Sequence, residues 1–351
     1  NKMITIKEAL TKKEMKDYVM FSFELYKNNP YWIPPIIAEE LETFDKTKNP
    51  ALQTAEAHFY LAYKDNKIVG KIAAIINWEE VNLLGKRKAR FGWFDAIDDI
   101  EVTKALLDKV EELGRKHNMD HMEGPMGFSN LDKVGILSEG FDQMGNMITW
   151  YSLPYYITHF EQLGFIKEKE YTESDFSFNG INPEPFQKAS ELIKKRYELR
   201  SLNFTKTKDI MPYVDKMFDL FNETYARLQS FVPINDIQKE YFKKKYIGFI
   251  NPEFIKFIVD KNDNMIAFAI VMPGFAQALK KANGKLFPFG FYHLLQARKH
   301  SKEVVFYLIG ITPEYQSKGV TAIVFDEYYK VCQAKGIETC IRTPELEENH
   351  A

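Results

Sequence analysis

The feature that most constrains this sequence is an order of predicted elements that occurs twice. Residues 58–77 predict two apolar strands joined by a turn at Asp65-Asn66-Lys67, and residues 254–273 predict a second hairpin of the same kind. Each hairpin precedes an apolar strand, an amphipathic helix and a further strand. A helix that connects two strands of one sheet is a crossover connection, which allows those strands to be parallel. Together with the antiparallel hairpin it gives a mixed sheet with at least one parallel pair. The sequence therefore predicts an α/β fold of the mixed-sheet, α+β kind, built as two similar domains.

The elements after each hairpin are predicted from hydrophobic periodicity. The strand, helix and strand lie at 91–97, 99–117 and 121–127 in the first half, and at 303–311, 318–335 and 337–343 in the second. Both helices place apolar residues on one face, as expected of a helix that packs on a sheet. These residues are Val102, Leu106, Val110 and Leu113 in the first helix, and Val320, Ile323, Val324, Tyr328 and Val331 in the second.

The boundary between the halves is predicted at a cluster of turn-forming residues from Asn179 to Pro183. It gives a first domain over residues 1–180 and a second over 181–351. The second domain is predicted to begin with a helix at 184–197 and a strand at 197–203. The segment 276–301 has no counterpart in the first half, where only a shorter link joins the corresponding strands. This insertion is interpreted as a lid, a docking surface or a packing element, and the sequence leaves these alternatives open.

Composition and charge exclude several classes of protein. The chain is 45% hydrophobic and 27% charged, a balance typical of globular proteins. A net charge of −2 gives no general attraction to nucleic acid, so no nucleic-acid partner is expected. No apolar run approaches the roughly 20 residues of a transmembrane helix, and no signal peptide is recognised, so a cytoplasmic location is expected. Two cysteines are too few for a disulfide framework, and no His or Cys spacing indicates a metal site.

The most informative segment follows the predicted strand 303–311. Pro313 ends this strand because proline has no N–H to donate, and a short loop from Glu314 to Gly319 leads directly into the next helix. The first turn of a helix leaves backbone N–H groups unpaired at the positive end of the helix dipole. Gly319 allows a bulky anion to approach these groups, and Lys318 adds a positive charge. The segment therefore predicts a phosphate or diphosphate site.

The residue order in this segment is more specific than its secondary structure. Ile311-Thr312-Pro313-Glu314-Tyr315-Gln316-Ser317-Lys318-Gly319-Val320-Thr321 resembles the acetyl-CoA loop of the GNAT superfamily of acyl-CoA N-acyltransferases, although Thr321 replaces the usual Gly or Ala. The resemblance implies that acetyl-CoA or a longer acyl-CoA is the cofactor. It implies that the end of the strand, Ile309-Gly310-Ile311, pairs with the pantetheine amides. It also implies that the CoA diphosphate is held by the backbone of Gln316, Ser317, Lys318, Gly319, Val320 and Thr321.

The first half resembles the same superfamily in a different place. Pro154-Tyr155-Tyr156, followed by Leu163-Gly164-Phe165, is similar to the closing helix of the family and its Gly-Phe pair, so two tandem acyl-CoA N-acyltransferase-like domains are expected. The phosphate loop differs, since Asp95-Ala96-Ile97-Asp98-Asp99 has three carboxylates and no glycine. Carboxylates at a helix N-terminus accept hydrogen bonds from the free N–H groups and repel phosphate. The first domain is therefore predicted to be a degenerate copy that does not bind CoA in the usual way.

Two other segments carry expectations from this resemblance. The glycine-rich run from Gly124 to Phe141 is similar to a region of bacterial tandem GNAT proteins, and both a binding loop and an ordered connector fit it. Asn349 and Ala351 resemble the start of the next helix of the family. The resemblance then implies a helix and a strand beyond residue 351, with a tyrosine that protonates the departing thiolate.

Catalytic residues remain unassigned at the level of sequence. His293 is a candidate general base or a packed histidine, and Tyr307 and Glu314 are candidates for relaying a proton near the thioester. Cys332 lies in a predicted helix and Cys340 in a predicted strand, so both are expected to be core thiols rather than nucleophiles.

The function implied by the resemblance is transfer of an acyl group from CoA to an amine. The acceptor is a small metabolite, a peptide or a lipid-like amine such as a long-chain base, and the sequence does not choose among them. The alternative is a non-catalytic acyl-CoA-binding or regulatory module. A DNA-binding regulator is disfavoured by the net charge and by the lack of a convincing helix-turn-helix.

Overall fold

The computed structural model describes residues 3–129, 131–135, 137, 144, 150–167, 171–228 and 231–346, with the backbone alone at 171–176 and 343–346. Its contacts divide the chain into two compact units. Unit 1 is Asn1–Lys167 with Ala276–His293, and unit 2 is Glu168–Phe275 with Leu294–Ala351. This division differs from the boundary after residue 180, which stays a prediction about the domains. The difference arises because the strand at Tyr171–Ser177 belongs to unit 2 and the first part of the insertion, Ala276–His293, belongs to unit 1.

The N-terminal part of unit 1, up to Lys167, contains five strands and six helices in the described ranges. The strands are β1 (Ile4–Glu8), β2 (Ala55–Lys64), β3 (Lys67–Asn77), β4 (Lys88–Ala96) and β5 (His121–Glu123). The helices are α1 (Lys12–Leu25), α2 (Ile37–Thr43), α3 (Ala51–Thr54), α4 (Trp78–Leu84), α5 (Ile100–Lys116) and α6 (Tyr155–Gln162). The strands form one sheet in the order β1-β2-β3-β4-β5, in which β4 and β5 are parallel and all other neighbours are antiparallel.

The rest of the chain contains six strands and six helices in the described ranges. The strands are β6 (Tyr171–Ser177), β7 (Arg200–Leu202), β8 (Ile255–Val259), β9 (Met265–Pro273), β10 (Glu303–Ile311) and β11 (Thr339–Leu346). The helices are α7 (Glu184–Tyr197), α8 (Thr207–Tyr225), α9 (Asp236–Lys245), α10 (Ala276–Ala282), α11 (Gly290–His300) and α12 (Val320–Ala334). Among all the helices described, none combines the length and apolarity needed to cross a bilayer.

The second sheet has the order β6-β11-β10-β9-β8-β7, with β10 and β11 parallel and the other neighbours antiparallel. The parallel pairs in both sheets confirm the predicted crossovers. Both predicted hairpins are also confirmed. Asp65 and Asn66 join β2 to β3 with φ angles of 53° and 59°, the left-handed values that a tight hairpin turn of type I′ requires.

Two strands are shorter than predicted, for local reasons. β5 ends at Glu123 because Gly124 and Pro125 follow, and proline cannot donate to a ladder. β7 begins only at Arg200, because α7 extends to Tyr197 and ends with Glu198 in the left-handed conformation. The predicted strands at 121–127 and 197–203 are therefore wrong at these ends, although both strands exist.

The helices α5 and α12 bury the faces that their periodicity predicts. The buried residues are Val102, Leu106, Val110 and Leu113 in α5, and Val320, Ile323, Val324 and Tyr328 in α12. Val331 is partly buried against the same core. Cys332 and Cys340 are free thiols in this core, and burial raises the pKa of each to about 12. Their predicted role as core thiols is confirmed, since thiols of such high pKa are poor nucleophiles.

A compact ion cluster joins α4 to the first part of β4 and the end of β5 in unit 1. Glu80 is fully buried and accepts hydrogen bonds from Nε and Nη2 of Arg90 at 2.9 and 2.8 Å. The Nζ atom of Lys88 lies 3.1 Å from Glu80 and 2.8 Å from Glu123. Two buried cations are thus compensated by two carboxylates, as burial of charge requires.

Candidate functional site

The end of β10 has an edge that is not covered by β11. The register of the parallel pair runs from Glu303 to Phe306 in the described residues. The register with β9 shifts directly afterwards, between Phe306 and Leu308, which marks a β-bulge at Tyr307. Bulges bend a strand and end its pairing, so this bulge accounts for the separation of β10 from β11. The last residues of β10 consequently present backbone groups to an open edge.

Two side chains donate hydrogen bonds to carbonyl groups at this edge. The carbonyl of Ile309 accepts a hydrogen bond from the Tyr225 hydroxyl at 3.1 Å, and that of Ile311 accepts one from Gln316 Nε2 at 3.0 Å. Since backbone groups alternate along a strand, those of Gly310 point to β9, where Gly310 pairs with Phe268. The carbonyl groups of Ile309 and Ile311 therefore face the open edge, and the pairing of Ile309, Gly310 and Ile311 with the pantetheine amides stays a prediction.

Gly310 is explained by packing. A Cβ atom at this position would overlap the ring of Phe268 on the neighbouring strand. The absence of a side chain thus allows the Phe268 ring to cover β10, which is a common reason for glycine within a strand.

The N-terminus of α12 has no side-chain cap. Gly319 is the residue before the helix, with a φ of 76° in the left-handed region, and no side chain accepts from the first turn. The backbone N–H groups of Gly319, Val320 and Thr321 make no hydrogen bond with the residues that the structure describes. Gly319 and Thr321 are also exposed. A 15-residue helix therefore presents free donors and the positive end of its dipole to solvent.

Lys318 adds a positive charge beside these donors. Its Nζ atom lies 5.1 Å from the ring centroid of Tyr197 and 4.7 Å from that of Tyr315, so two aromatic rings hold the ammonium group. Lys318 makes no ion pair within the described ranges. Tyr197 was not predicted as a site residue, because its position at the end of α7 becomes relevant only through tertiary packing.

These features fit the group that the sequence predicts. A diphosphate needs several donors and a positive charge, and the first turn of α12 with Lys318 provides both. Gln316 and Ser317 are exposed in the same loop. The hydroxyl oxygen of Thr312 is buried without a hydrogen-bond partner among the described residues, so the start of the loop also keeps a polar atom to be satisfied.

The corresponding place in unit 1 is filled by its own side chains. Asp99 caps α5, because its Oδ1 atom accepts from the N–H of Glu101 at 3.0 Å, as the sequence predicts. Its other oxygen pairs with Lys64 at 2.9 Å, and this hydrogen bond lowers the pKa of Asp99. Asp98 pairs with His159 at 3.0 Å. The first turn of α5 thus contains negative charge where that of α12 offers donors.

The edge of β4 in unit 1 is also occupied. The N–H of Ala96 donates to the Tyr156 hydroxyl at 3.0 Å, and the Tyr155 hydroxyl donates to the Ala96 carbonyl at 2.6 Å. Both tyrosines come from α6. The family resemblance places them in a closing helix, whereas the hydrogen bonds from their hydroxyls to β4 were not predicted.

Comparison with known proteins supports the tandem architecture. No protein-family model matches the chain. It is 27% identical to Protein YghO of Escherichia coli strain K12 over 326 residues, which are 91% of this chain and 81% of that protein. It is 24% identical to a bacterial ceramide synthase of Caulobacter vibrioides strain NA1000 / CB15N over 322 residues, 90% of this chain and 83% of that protein.

A solved structure described as a tandem GNAT protein from the clavulanic acid biosynthesis pathway matches with a TM-score of 0.52 and 10% identity. The match covers 99% of this chain and 91% of that one. The chain has the tandem GNAT fold. At 10% identity this similarity shows the fold alone. The two acyltransferase-like domains expected from the sequence are therefore confirmed as a fold.

Within the tandem GNAT fold, Asp95 in unit 1 differs from the other two carboxylates of its loop. It accepts hydrogen bonds at 2.7, 2.7 and 2.8 Å from the hydroxyls of Ser22, Tyr26 and Tyr156. Burial raises the pKa of Tyr156 well above its usual value, so this hydroxyl remains a donor. Asp95 therefore anchors α1 and α6 to β4 rather than capping a helix.

The catalytic candidates are placed in different parts of the tandem GNAT fold. Tyr307 is partly buried at the β10 bulge and Glu314 is exposed in the loop, both in unit 2. His293 belongs to unit 1 by its contacts. Asn349 and Ala351 lie outside the described residues. Catalytic roles for these residues stay predictions.

Tyr225 is a residue of the candidate site that the sequence did not indicate. It lies at the end of α8, and burial raises the pKa of its hydroxyl to about 12. A hydroxyl with this pKa stays protonated at neutral pH and can donate to the Ile309 carbonyl or to a bound amide.

Proposed function

We propose that the chain is an acyl-CoA-dependent N-acyltransferase that binds the CoA diphosphate at the N-terminus of α12. The observation that carries the proposal is the contrast between two helix ends. The first turn of α12 has free N–H groups beside Lys318, whereas Asp99 caps α5. Phosphate binds to hydrogen-bond donors and is repelled by carboxylates. The acyl-CoA site is therefore assigned to unit 2.

The reaction follows from the chemistry of a thioester. A bound acyl-CoA supplies a carbonyl carbon that a neutral amine attacks, so that an amide bond forms and the C–S bond breaks. CoA leaves as a thiolate and takes up the proton that the amine nitrogen loses, so the products are an amide and free CoA thiol. The chain contributes binding and orientation. The N–H groups of Gly319, Val320 and Thr321 hold the diphosphate, and the edge at Ile309 and Ile311 orients the pantetheine amides.

We infer that the acceptor is a lipid-like amine. Support comes from the relative named a bacterial ceramide synthase, which is similar over 90% of this chain. A ceramide is an N-acylated long-chain amine, so a synthase of this kind joins an acyl group to a lipid-like amino group. The small metabolite and the peptide that the sequence left open become the comparison compounds of the assay.

The binding site is tested by a substitution that gives α12 the cap of α5. Gly319→Asp adds a carboxylate at the N-cap, and Gly319→Asn is its uncharged match. Both residues tolerate the left-handed φ better than other side chains, and both meet the same Ile193 side chain. We expect Gly319→Asp to bind acetyl-CoA and palmitoyl-CoA at least about tenfold more weakly than Gly319→Asn, because charge repulsion opposes the diphosphate. Isothermal titration calorimetry measures the difference.

The matching control is Asp99→Asn in unit 1, which should leave the affinity unchanged. Loss of affinity in Asp99→Asn, with none in Gly319→Asp, would move the site to unit 1 and refute the assignment. Turnover is followed separately as thiol release with a long-chain base, a short amine and a peptide. Binding of acyl-CoA without release of the CoA thiol in the presence of any of these acceptors would favour the non-catalytic binding module.

A further inference from the structure

The link between α10 and α11 exposes a group of aromatic side chains in unit 1. Phe287 and Phe289 are 72% and 70% exposed, and Phe291 and Tyr292 are 41% and 58% exposed. The rings of Phe287 and Phe291 stack at 6.1 Å with an angle of 18° between their planes. Aromatic side chains normally bury most of their area, so neighbouring exposed rings mark a surface with a partner.

This exposure does not come from a loose loop. The carbonyl of Gly284 accepts from the N–H of Ile37 at 2.9 Å, and a Cβ atom on Gly284 would lie 2.8 Å from the ring of Phe23. The loop also closes on itself, because the N–H of Phe291 donates to the carbonyl of Leu286 at 2.6 Å. The backbone is therefore held against α1 and α2 of the same unit while the rings point to solvent.

The same piece of chain is strongly basic. No Asp or Glu occurs from residue 264 to residue 302, although the whole chain has a net charge of −2. Lys281 and Lys285 are exposed and form no ion pair with any described carboxylate. Lys281 and Lys285 belong to the same compact turn as the rings, since a Cβ atom on Gly290, which precedes Phe291, would overlap the carbonyl of Lys285 and lie 3.0 Å from the Cβ of Ala282, the neighbour of Lys281.

We propose that the loop of residues 281–292, with its exposed aromatic rings and lysines, is a docking surface for an anionic lipid bilayer. Aromatic rings with a polar or polarisable face partition into the headgroup region, and lysines at the same depth are attracted to anionic lipids. The combination of both on a fixed loop distinguishes this surface from an ordinary protein-binding patch, whose core is depleted of lysine. The proposal does not depend on the acyltransferase activity.

The test is co-sedimentation of the full chain with vesicles. We expect binding to vesicles that contain phosphatidylglycerol and much weaker binding to pure phosphatidylcholine. Phe287→Ser with Phe289→Ser should weaken binding at least about tenfold, because two rings that become buried in the bilayer on binding are lost. Lys281→Gln with Lys285→Gln should weaken it about tenfold or more at low salt and less at high salt, since each lysine contributes about a fivefold gain.

Matched controls separate this loop from general stickiness. Leu10→Ser with Ile166→Ser removes two exposed apolar side chains elsewhere in unit 1, and Lys46→Gln with Lys48→Gln makes the same change in charge. Both control variants should bind as the unaltered chain does, and circular dichroism checks that every variant is folded. The proposal is overturned if the unaltered chain ignores anionic vesicles, or if the control variants lose as much binding as the loop variants.

Discussion

Gly319 and Asp99 occupy the same position relative to their helices and have opposite chemistry. Each is the N-cap of a helix that follows the end of a sheet strand. An aspartate there accepts from the first turn and fills the place of an anion, whereas a left-handed glycine leaves the donors open. Under the proposed function, this one residue distinguishes the helix end that binds phosphate from the one that does not.

Asp132 provides a prediction about pH. Its carboxylate accepts from the N–H groups of Phe128 and Ser129, both at 2.9 Å, yet burial raises its pKa to about 6. A carboxyl group whose pKa is raised in the folded state stabilises the protein at low pH and loses that contribution as pH rises through the folded pKa. Asp132→Asn keeps an acceptor for the two N–H groups but does not titrate.

We therefore expect the stability of Asp132→Asn, relative to the unaltered chain, to increase by about 1 to 2 kcal/mol between pH 4 and pH 7. Urea denaturation at pH 4 and pH 7 measures the free energy of unfolding of both chains. Subtracting the value of one chain from that of the other cancels the contribution of the other titrating groups. Equal changes in both chains over this range would contradict the raised pKa.

At the residue scale the sequence predicted the site only where local order defines it. Gly319 and Lys318 belong to a short segment whose chemistry depends on its own strand, loop and helix. Tyr225 and Tyr197 contribute from the ends of other helices, and no periodicity indicates that their side chains reach β10 or Lys318. Such contacts depend on tertiary packing, which a single sequence does not specify.

The elements themselves were predicted more reliably than their ends. The α5 and α12 helices and both hairpins follow from hydrophobic periodicity and turn residues, because these signals are local. The ends of β5 and β7 were wrong, because ladder pairing and the α7 cap decide where a strand can begin or end. Apolar alternation alone does not contain that information.

The ion cluster beneath α4 gives a prediction at the scale of elements. Glu80→Ala removes the carboxylate that accepts hydrogen bonds from the buried Arg90, and among the described residues it leaves Lys88 with Glu123 as its carboxylate partner. Breaking a buried pair by removing one partner typically costs about 3 to 5 kcal/mol, so we expect a loss of this size in the stability of unit 1. Thermal and urea denaturation measure it.

Glu79→Ala is the control for this change, because Glu79 is its neighbour in α4 and is only partly buried. A similar loss in both variants would mean that the helix, rather than the ion cluster, is responsible. A loss below 1 kcal/mol for Glu80→Ala would contradict the buried arrangement.

On the scale of the whole molecule, the two units should respond differently to acyl-CoA. Amides without hydrogen bonds exchange freely, so those of Gly319, Val320 and Thr321 should exchange fast in the free protein and slowly with ligand. The start of α5 should show no such change. Hydrogen exchange measured by mass spectrometry, with and without palmitoyl-CoA, compares the two; protection at α5 instead would contradict the proposed site.

The division of the chain into units was the least predictable property. Residues 171–177 precede the predicted boundary but pair with β11 in the second sheet. Residues 276–293 follow it but belong to unit 1. Both assignments depend on which strand or helix each segment contacts, whereas the predicted boundary used turn residues alone.

The pairing of β6 with β11 has a practical consequence for protein engineering. A gene fragment that begins at residue 181, where the sequence repeat suggests a clean cut, would encode the second sheet without its outermost strand. The backbone N–H and C=O groups on that side of β11 would then be exposed at the edge of the sheet. An exposed strand edge can pair with strands of other chains. Dissection into halves therefore has to start upstream of Tyr171, or the shorter product is expected to aggregate.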